Sequence, residues 1–141
     1  MAQRAKSKEG IGAQESSKVT EERPKFRFMD LEIWHEAIEI GGMLFDLADK
    51  LESRKRYKFA EQLRGSGLSM SNNIAEGSGS NSKREFSNFL NIARRSTFEN
   101  ANVLIVMEKC NLVDERQVTL LLQKLDKLCR KITNFQKSLR Q

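Results

Sequence analysis

The sequence predicts an all-α chain, an up-down-up-down antiparallel four-helix bundle preceded by a polar tail. Three observations carry that expectation. Apolar residues recur at helical spacing from Asp30 almost to the C-terminus. The helical stretches are punctuated by short polar or glycine-containing breaks. A single proline and little β-branched alternation argue against a sheet.

Residues 1–28 are rich in Lys, Glu, Ser and Gln and show no apolar period. Such a stretch buries too little surface to offset its ordering entropy and is expected to be a disordered tail. It has no hydrophobic signal-peptide core, and its only proline, Pro24, stands near its end. The bundle domain is expected to occupy residues 29–141.

The first helix is predicted from Asp30, with Asp30 as its N-cap and Leu31, Trp34, Ile38, Phe45, Ala48 and Leu51 as its apolar stripe. The loop Ser53-Arg54-Lys55-Arg56 ends it. A second helix is predicted over Tyr57–Glu76, with Phe59, Leu63, Met70 and Ile74 inward. Gly77 is placed as a left-handed C-terminal cap. Ser82-Lys83-Arg84-Glu85 has the form of a capping box and opens a long third helix through Phe86, Phe89, Leu90, Ala93, Ala101, Leu104 and Ile105. Asp114 starts a fourth, carrying Val118, Leu121, Leu125, Leu128, Ile132, Phe135 and Leu139. Helices of roughly 20–28 residues are rods of about 30–42 Å, and short loops make neighbours antiparallel.

Some features exceed a plain bundle. Val103-Leu104-Ile105-Val106-Met107 is a run of five apolar residues that covers the whole helix circumference at about 100° per residue. It is either a locally wide core face or a surface for self-association. Gly65 and Gly67 lie in mid-helix, each costing about 1 kcal/mol relative to alanine. With Ser66, Ser69 and Ser71 they offer a narrow surface for close approach of another backbone, or else a kink.

The chain carries 25 Lys and Arg against 19 Asp and Glu, a net +6 with a pI near 9.5. A basic balance favours polyanionic partners such as RNA or DNA. The first helix is acidic (Glu32, Glu36, Glu39, Asp46, Asp49, Glu52), whereas the fourth is basic (Lys124, Lys127, Arg130, Lys131, Lys137, Arg140). Two readings follow. The two helices complement each other, within or between subunits; or the basic face, together with Arg54, Lys55, Arg56, Lys83, Arg84, Arg94 and Arg95, attracts phosphates. Few aromatics interleave these bases, so stacking on single strands is not signalled.

No catalytic constellation is present. His35 is the only histidine, set beside Trp34 on an acidic helix without a nucleophile. No Glu-x-x-His pair signals a di-metal bundle. Gly77-Ser78-Gly79 lacks the strand and the lysine of a phosphate loop. Cys110 and Cys129 lack zinc-ligand spacing and are expected to be reduced thiols in a cytoplasmic protein. No apolar stretch is long enough to span a membrane. The expectation is a non-enzymatic protein with no cofactor, no metal and no small-molecule substrate.

Ser71-Asn72-Asn73-Ile74-Ala75-Glu76-Gly77 resembles a motif of the four-helix bundle proteins encoded in intervening sequences of bacterial 23S ribosomal RNA genes. Leu31-Glu32-Ile33-Trp34, Gln62-Leu63-Arg64, Ser82-x-x-Glu85-Phe86 and Phe89-Leu90-x-Ile92-Ala93-x-x-Ser96 fall in the same order as in that family. The resemblance spans about Phe28 to Leu139, with Trp34, Asn73, Glu76 and Gly77 as motif residues. The chain departs from it at Gly65 and Gly67, where Arg and Ala are commoner, and in lacking a proline before Asn73. The resemblance implies a ring-shaped homopentamer. The accessory proteins of diversity-generating retroelements form a related branch that the chain also resembles, which implies structured RNA and a reverse transcriptase as partners. In physical terms Glu76 sits at a helix C-terminus, where negative charge is disfavoured, and is expected to pair with Arg64, Arg94 or Arg95. A protein–protein adaptor that binds no nucleic acid is the alternative.

Overall fold

The computed structural model describes residues 21–140, so most of the tail expected over 1–28 lies outside the described residues. A 3-10 turn, Arg27–Asp30, leads into four helices: α1 Glu32–Ser53, α2 Tyr57–Ser78, α3 Lys83–Lys109 and α4 Glu115–Leu139. No strand occurs among the described residues, and no helix is long and apolar enough to cross a membrane. Cross-helix pairs run in opposite sense. Arg64 meets Asp49 and Glu52, Asn100 meets Ser66, Gln136 meets Ser87, and Lys131 meets Glu32. Each helix is therefore antiparallel to the next, and α4 returns beside α1.

Local chemistry sets the helix ends. Ser82 accepts a hydrogen bond from the Glu85 amide (3.1 Å), and Asp114 accepts one from the Gln117 amide (2.8 Å), each satisfying an orphan donor. The α1–α2 and α3–α4 corners are turned by Lys55 (φ 64°) and Asn111 (φ 61°), both left-handed. Asp30 does not cap α1. It closes the 3-10 turn, and Leu31 takes the cap position without a side-chain bond. The reason is Trp34, whose indole packs on Phe28 (centroids 4.9 Å), while His35 Nε2 bonds the Met29 carbonyl (2.7 Å). These contacts draw residues 27–30 back over the helix start.

The core follows the predicted stripes on α2 and α4. Leu63, Met70, Ile74, Leu121, Leu128 and Ile132 are fully enclosed, with Val118 and Leu125 beside them; Phe59, Phe135 and Leu139 pack at its edge. On α1 the stripe turns by about one residue. Ile33, Ala37, Ile40, Leu44 and Leu47 join Ala48 and Leu51 inside, while Ile38 is 45% exposed. Apolar residues lie on two sides of α1, so spacing alone could not choose the buried one. On α3, Phe86, Leu90, Ala93 and Leu104 are inward as expected, but Ile105 faces out. The run at 103–107 divides: Val103, Leu104 and Met107 enter the core, and Ile105 and Val106 are exposed.

α2 is continuous through Gly65 and Gly67. A Cβ at Gly41 would stand 3.1 Å from the Gly67 carbonyl oxygen, and one at Gly67 would stand 3.3 Å from Leu44. The close approach is thus between α1 and α2 of one chain, and Gly65 faces open space. Gly77 is no left-handed cap either. It is helical and buried, and a Cβ there would lie 2.7 Å from Phe89 Cβ and 2.8 Å from Phe86 Cδ1. The α2–α3 corner needs that volume for the two rings.

α2 and α3 are joined by a buried polar ladder. Asn100, fully buried, donates through Nδ2 to the Ser66 and Ser96 carbonyls (2.9 Å each) and accepts from Ser66 Oγ (2.6 Å). Ser69 and Ser96 exchange a hydroxyl bond (2.8 Å), and Asn73 Nδ2 donates to the Ser69 carbonyl (2.8 Å). Asn100 thereby uses both of its N–H donors and one of the two lone pairs of Oδ1.

Candidate nucleic-acid interface

The predicted basic residues separate into three groups. Arg54, Lys55 and Arg56 lie at the corner between α1 and α2. Arg54 Nη1 donates to the Leu112 carbonyl (3.1 Å) and ties this corner to the one between α3 and α4; Lys55 and Arg56 are exposed.

The second group, on α4, is matched to α1. Lys131 Nζ donates to Glu32 (2.6 Å) and to Glu36, and Lys124 reaches Glu39 (3.4 Å). Lys127 shares a cleft with Glu36 and Glu39, and Arg130 pairs with Asp126 one turn earlier (3.0 Å). Of the two readings of the charge asymmetry, complementarity within the subunit accounts for Lys124 and Lys131. The hydrogen bond from Lys131 holds the Glu32 carboxyl below the usual glutamate range, and the bonds to Glu32 and Glu36 raise the Lys131 ammonium. A depressed carboxylate stabilises the fold above its unfolded value and loses that contribution as pH falls through its folded value. Lys131→Met is therefore expected to flatten the loss of stability below about pH 4.5, measured by urea unfolding against pH. An unchanged acid limb would show that this exposed pair contributes nothing.

The third group lies at the opposite end, where α3 begins and α4 ends. Lys83, Arg84, Ser87, Asn88, Leu139 and Arg140 line one cleft. It runs into a second, lined by Ser87, Asn88, Asn91, Arg94, Thr133, Gln136 and Arg140. Neither contains an acidic residue. The buried Gln136 amide donates to the Ser87 carbonyl (3.0 Å) and closes the floor. Arg94 bonds Asn91 Oδ1 (3.4 Å) and lies over the Phe98 ring (5.8 Å). Guanidinium and amide donors thus share one groove, a setting suited to phosphate. Arg95 is exposed but lines neither cleft.

Arg140, Ser87, Asn88, Asn91 and Thr133 were not expected to belong together. The available signal was topological: in an up-down bundle the start of the third helix and the end of the fourth must meet. Among the motif residues, Trp34 anchors the 3-10 turn, Asn73 bonds within α2, and Gly77 seats the two phenylalanines. Glu76 is exposed and has no ion pair among the described residues. Arg64 is instead held by Asp49 (2.7 Å) and Glu52 (2.6 Å), and Arg94 by Asn91. Cys110 and Cys129 are free thiols. Among the described residues no group of His, Cys, Asp and Glu could hold a metal ion.

A family model described as 23S rRNA-intervening sequence protein matches residues 29–134. The fold is similar to the crystal structure of a protein of unknown function from the S23 ribosomal protein family of Bacteroides thetaiotaomicron VPI-5482. The TM-score is 0.71 at 21% identity, over 74% of this chain and 98% of that one. No curated protein matches the chain.

Proposed function

The chain belongs to the 23S rRNA-intervening sequence protein family, and on that premise we propose that it is a non-enzymatic, self-associating bundle that binds structured RNA through the groove between the start of α3 and the end of α4. The observation that carries this reading is the convergence of Arg84, Arg94 and Arg140 with Asn and Ser side chains in a groove free of acids. The α4 bases nearest α1 are excluded from the core of the site because acids of the same chain already neutralise them. Self-association rests on apolar side chains left outside by the bundle, among them Ile38, Leu68, Ile92, Ile105, Val106 and Leu120. The homopentameric ring and a reverse transcriptase partner, both implied by the family resemblance, complete the proposal.

Binding through phosphates predicts an affinity that falls steeply with salt and discriminates little by sequence. The combined variant Arg84→Ala/Arg94→Ala/Arg140→Ala is expected to weaken RNA binding by about 10- to 1,000-fold at low salt and to reduce the salt slope by about two to three. A gel-shift titration at several salt concentrations reads both. A folded variant with wild-type affinity and slope would overturn the groove. Light scattering tests assembly: a ring requires five times the 16.2 kDa chain mass, and a strict monomer excludes it.

The adaptor reading is favoured by the same exposed apolar side chains. Its distinguishing result is a full-mass oligomer that binds no RNA at any salt concentration.

A further inference from the structure

Beyond Arg94 lies an apolar slot, separate from the groove in its lining. One turn along α3 and one turn back along α4, Thr97, Phe98, Ala101, Leu122, Leu125, Asp126 and Cys129 line a cleft of about 220 Å³. Phe98 is 63% exposed at its mouth, the most exposed of the large apolar side chains among the described residues. An exposed aromatic ring flanked by an arginine is unexplained by the bundle's own packing. The Arg94 guanidinium lines the basic groove and lies over the ring that stands at the mouth of the slot. Asp126 would repel a polyanion, but its charge is met by Arg130 at 3.0 Å.

We infer that the slot receives one unpaired nucleobase of an RNA loop, stacked on Phe98 and Arg94, while the adjoining groove holds the flanking phosphates. This rests on the RNA-binding reading and deepens it, naming the substrate as RNA with unpaired bases rather than duplex. The dimensions fit. The slot is smaller than the roughly 300 Å³ at which pockets for drug-sized ligands begin, which suits a single ring system. It sits about 6 Å, four residues of helix rise, from the Asn91–Arg94 part of the groove. Every base has a π face, so such a slot selects for single-strandedness without selecting sequence. The surface thereby combines the two parts a single-strand site needs, a basic track and a stacking platform.

The test uses the full-length protein and two RNAs of equal length, a hairpin with an unpaired loop and a fully paired duplex, titrated at matched salt. Phe98→Ala is expected to lose about 5- to 100-fold in affinity for the hairpin, with little change for the duplex and an unchanged salt slope. Phe98→Trp is expected to retain hairpin binding, and 2-aminopurine placed in the loop is expected to be quenched by wild-type protein and not by Phe98→Ala. Wild-type hairpin affinity in Phe98→Ala, or an equal loss on duplex, would overturn the slot while leaving the basic groove standing. A change in assembled mass on Phe98→Ala would overturn it in favour of a subunit contact at Phe98. Absence of RNA binding by the wild type would remove the groove and the slot together.

Discussion

Replacing Asn100 with aspartate is expected to destabilise the bundle by about 3–5 kcal/mol at pH 7, the scale of an uncompensated buried charge. Asn100 is fully buried, and its Nδ2 points at two carbonyl oxygens, those of Ser66 and Ser96. A carboxylate in the same shape would set oxygen against oxygen there. A retained proton lets it donate to one of the two, so burial and the carbonyls raise its folded-state pKa. The sign of the pH dependence follows. Above the usual carboxylate range the unfolded chain has released the proton and the native chain retains it, so stability falls as pH rises. Relative to wild type, the variant is expected to recover part of the loss near pH 4, one carbonyl still lacking its donor. Urea unfolding at several pH values and one protein concentration measures this. A pH-independent difference, or a loss below about 1 kcal/mol, would show that α2 and α3 separate enough to admit water.

Glycines 77 and 65 are expected to respond oppositely to alanine. Helix propensity favours Gly→Ala by about 1 kcal/mol in a helix interior. At Gly65 the new methyl meets nothing within 4 Å, so Gly65→Ala is expected to stabilise by about 0.5–1 kcal/mol. At Gly77 the methyl would lie 2.7 Å from Phe89 Cβ, an atom fixed to the α3 backbone, so rotation of a side chain cannot relieve the clash. The corner must open, at the usual overpacking cost of about 1–3 kcal/mol, and Phe86 would lose its contact with Phe135 (centroids 5.5 Å). Thermal melts of the two variants read the difference. Destabilisation by Gly65→Ala would point instead to a contact made at that open position by another subunit.

These two glycines also mark how far periodicity and punctuation reach. All four helices, their order and their ends to within two residues were legible, because apolar spacing and the caps at Ser82 and Asp114 act through residues close in sequence. Gly77 read as a cap because glycine after a polar helix end usually is one. Only the two phenylalanines from the next helix reveal its actual service. The α1 stripe held in part: Leu31, Trp34, Ala48 and Leu51 meet the core, whereas Ile38 turns outward and Ile33, Ala37, Ile40, Leu44 and Leu47 fill the interior. The candidate site was legible only in part. Lys83, Arg84, Arg94 and Arg140 were singled out by charge, whereas the meeting of Arg140 with the others, and the amides between them, came from proximity across about fifty residues of sequence.

By itself the sequence determined an all-α chain with four amphipathic rods, a family motif and a surplus of positive charge, all properties of local pattern and composition. Which charges remain available was decided by tertiary structure. Antiparallel packing of α1 on α4 places Glu32, Glu36 and Glu39 against Lys131 and Lys124 and leaves the acid-free groove at the other side of α4. Whether a charge is neutralised depends on what lies within a few ångströms of it, and in a bundle those neighbours come from a helix remote in sequence.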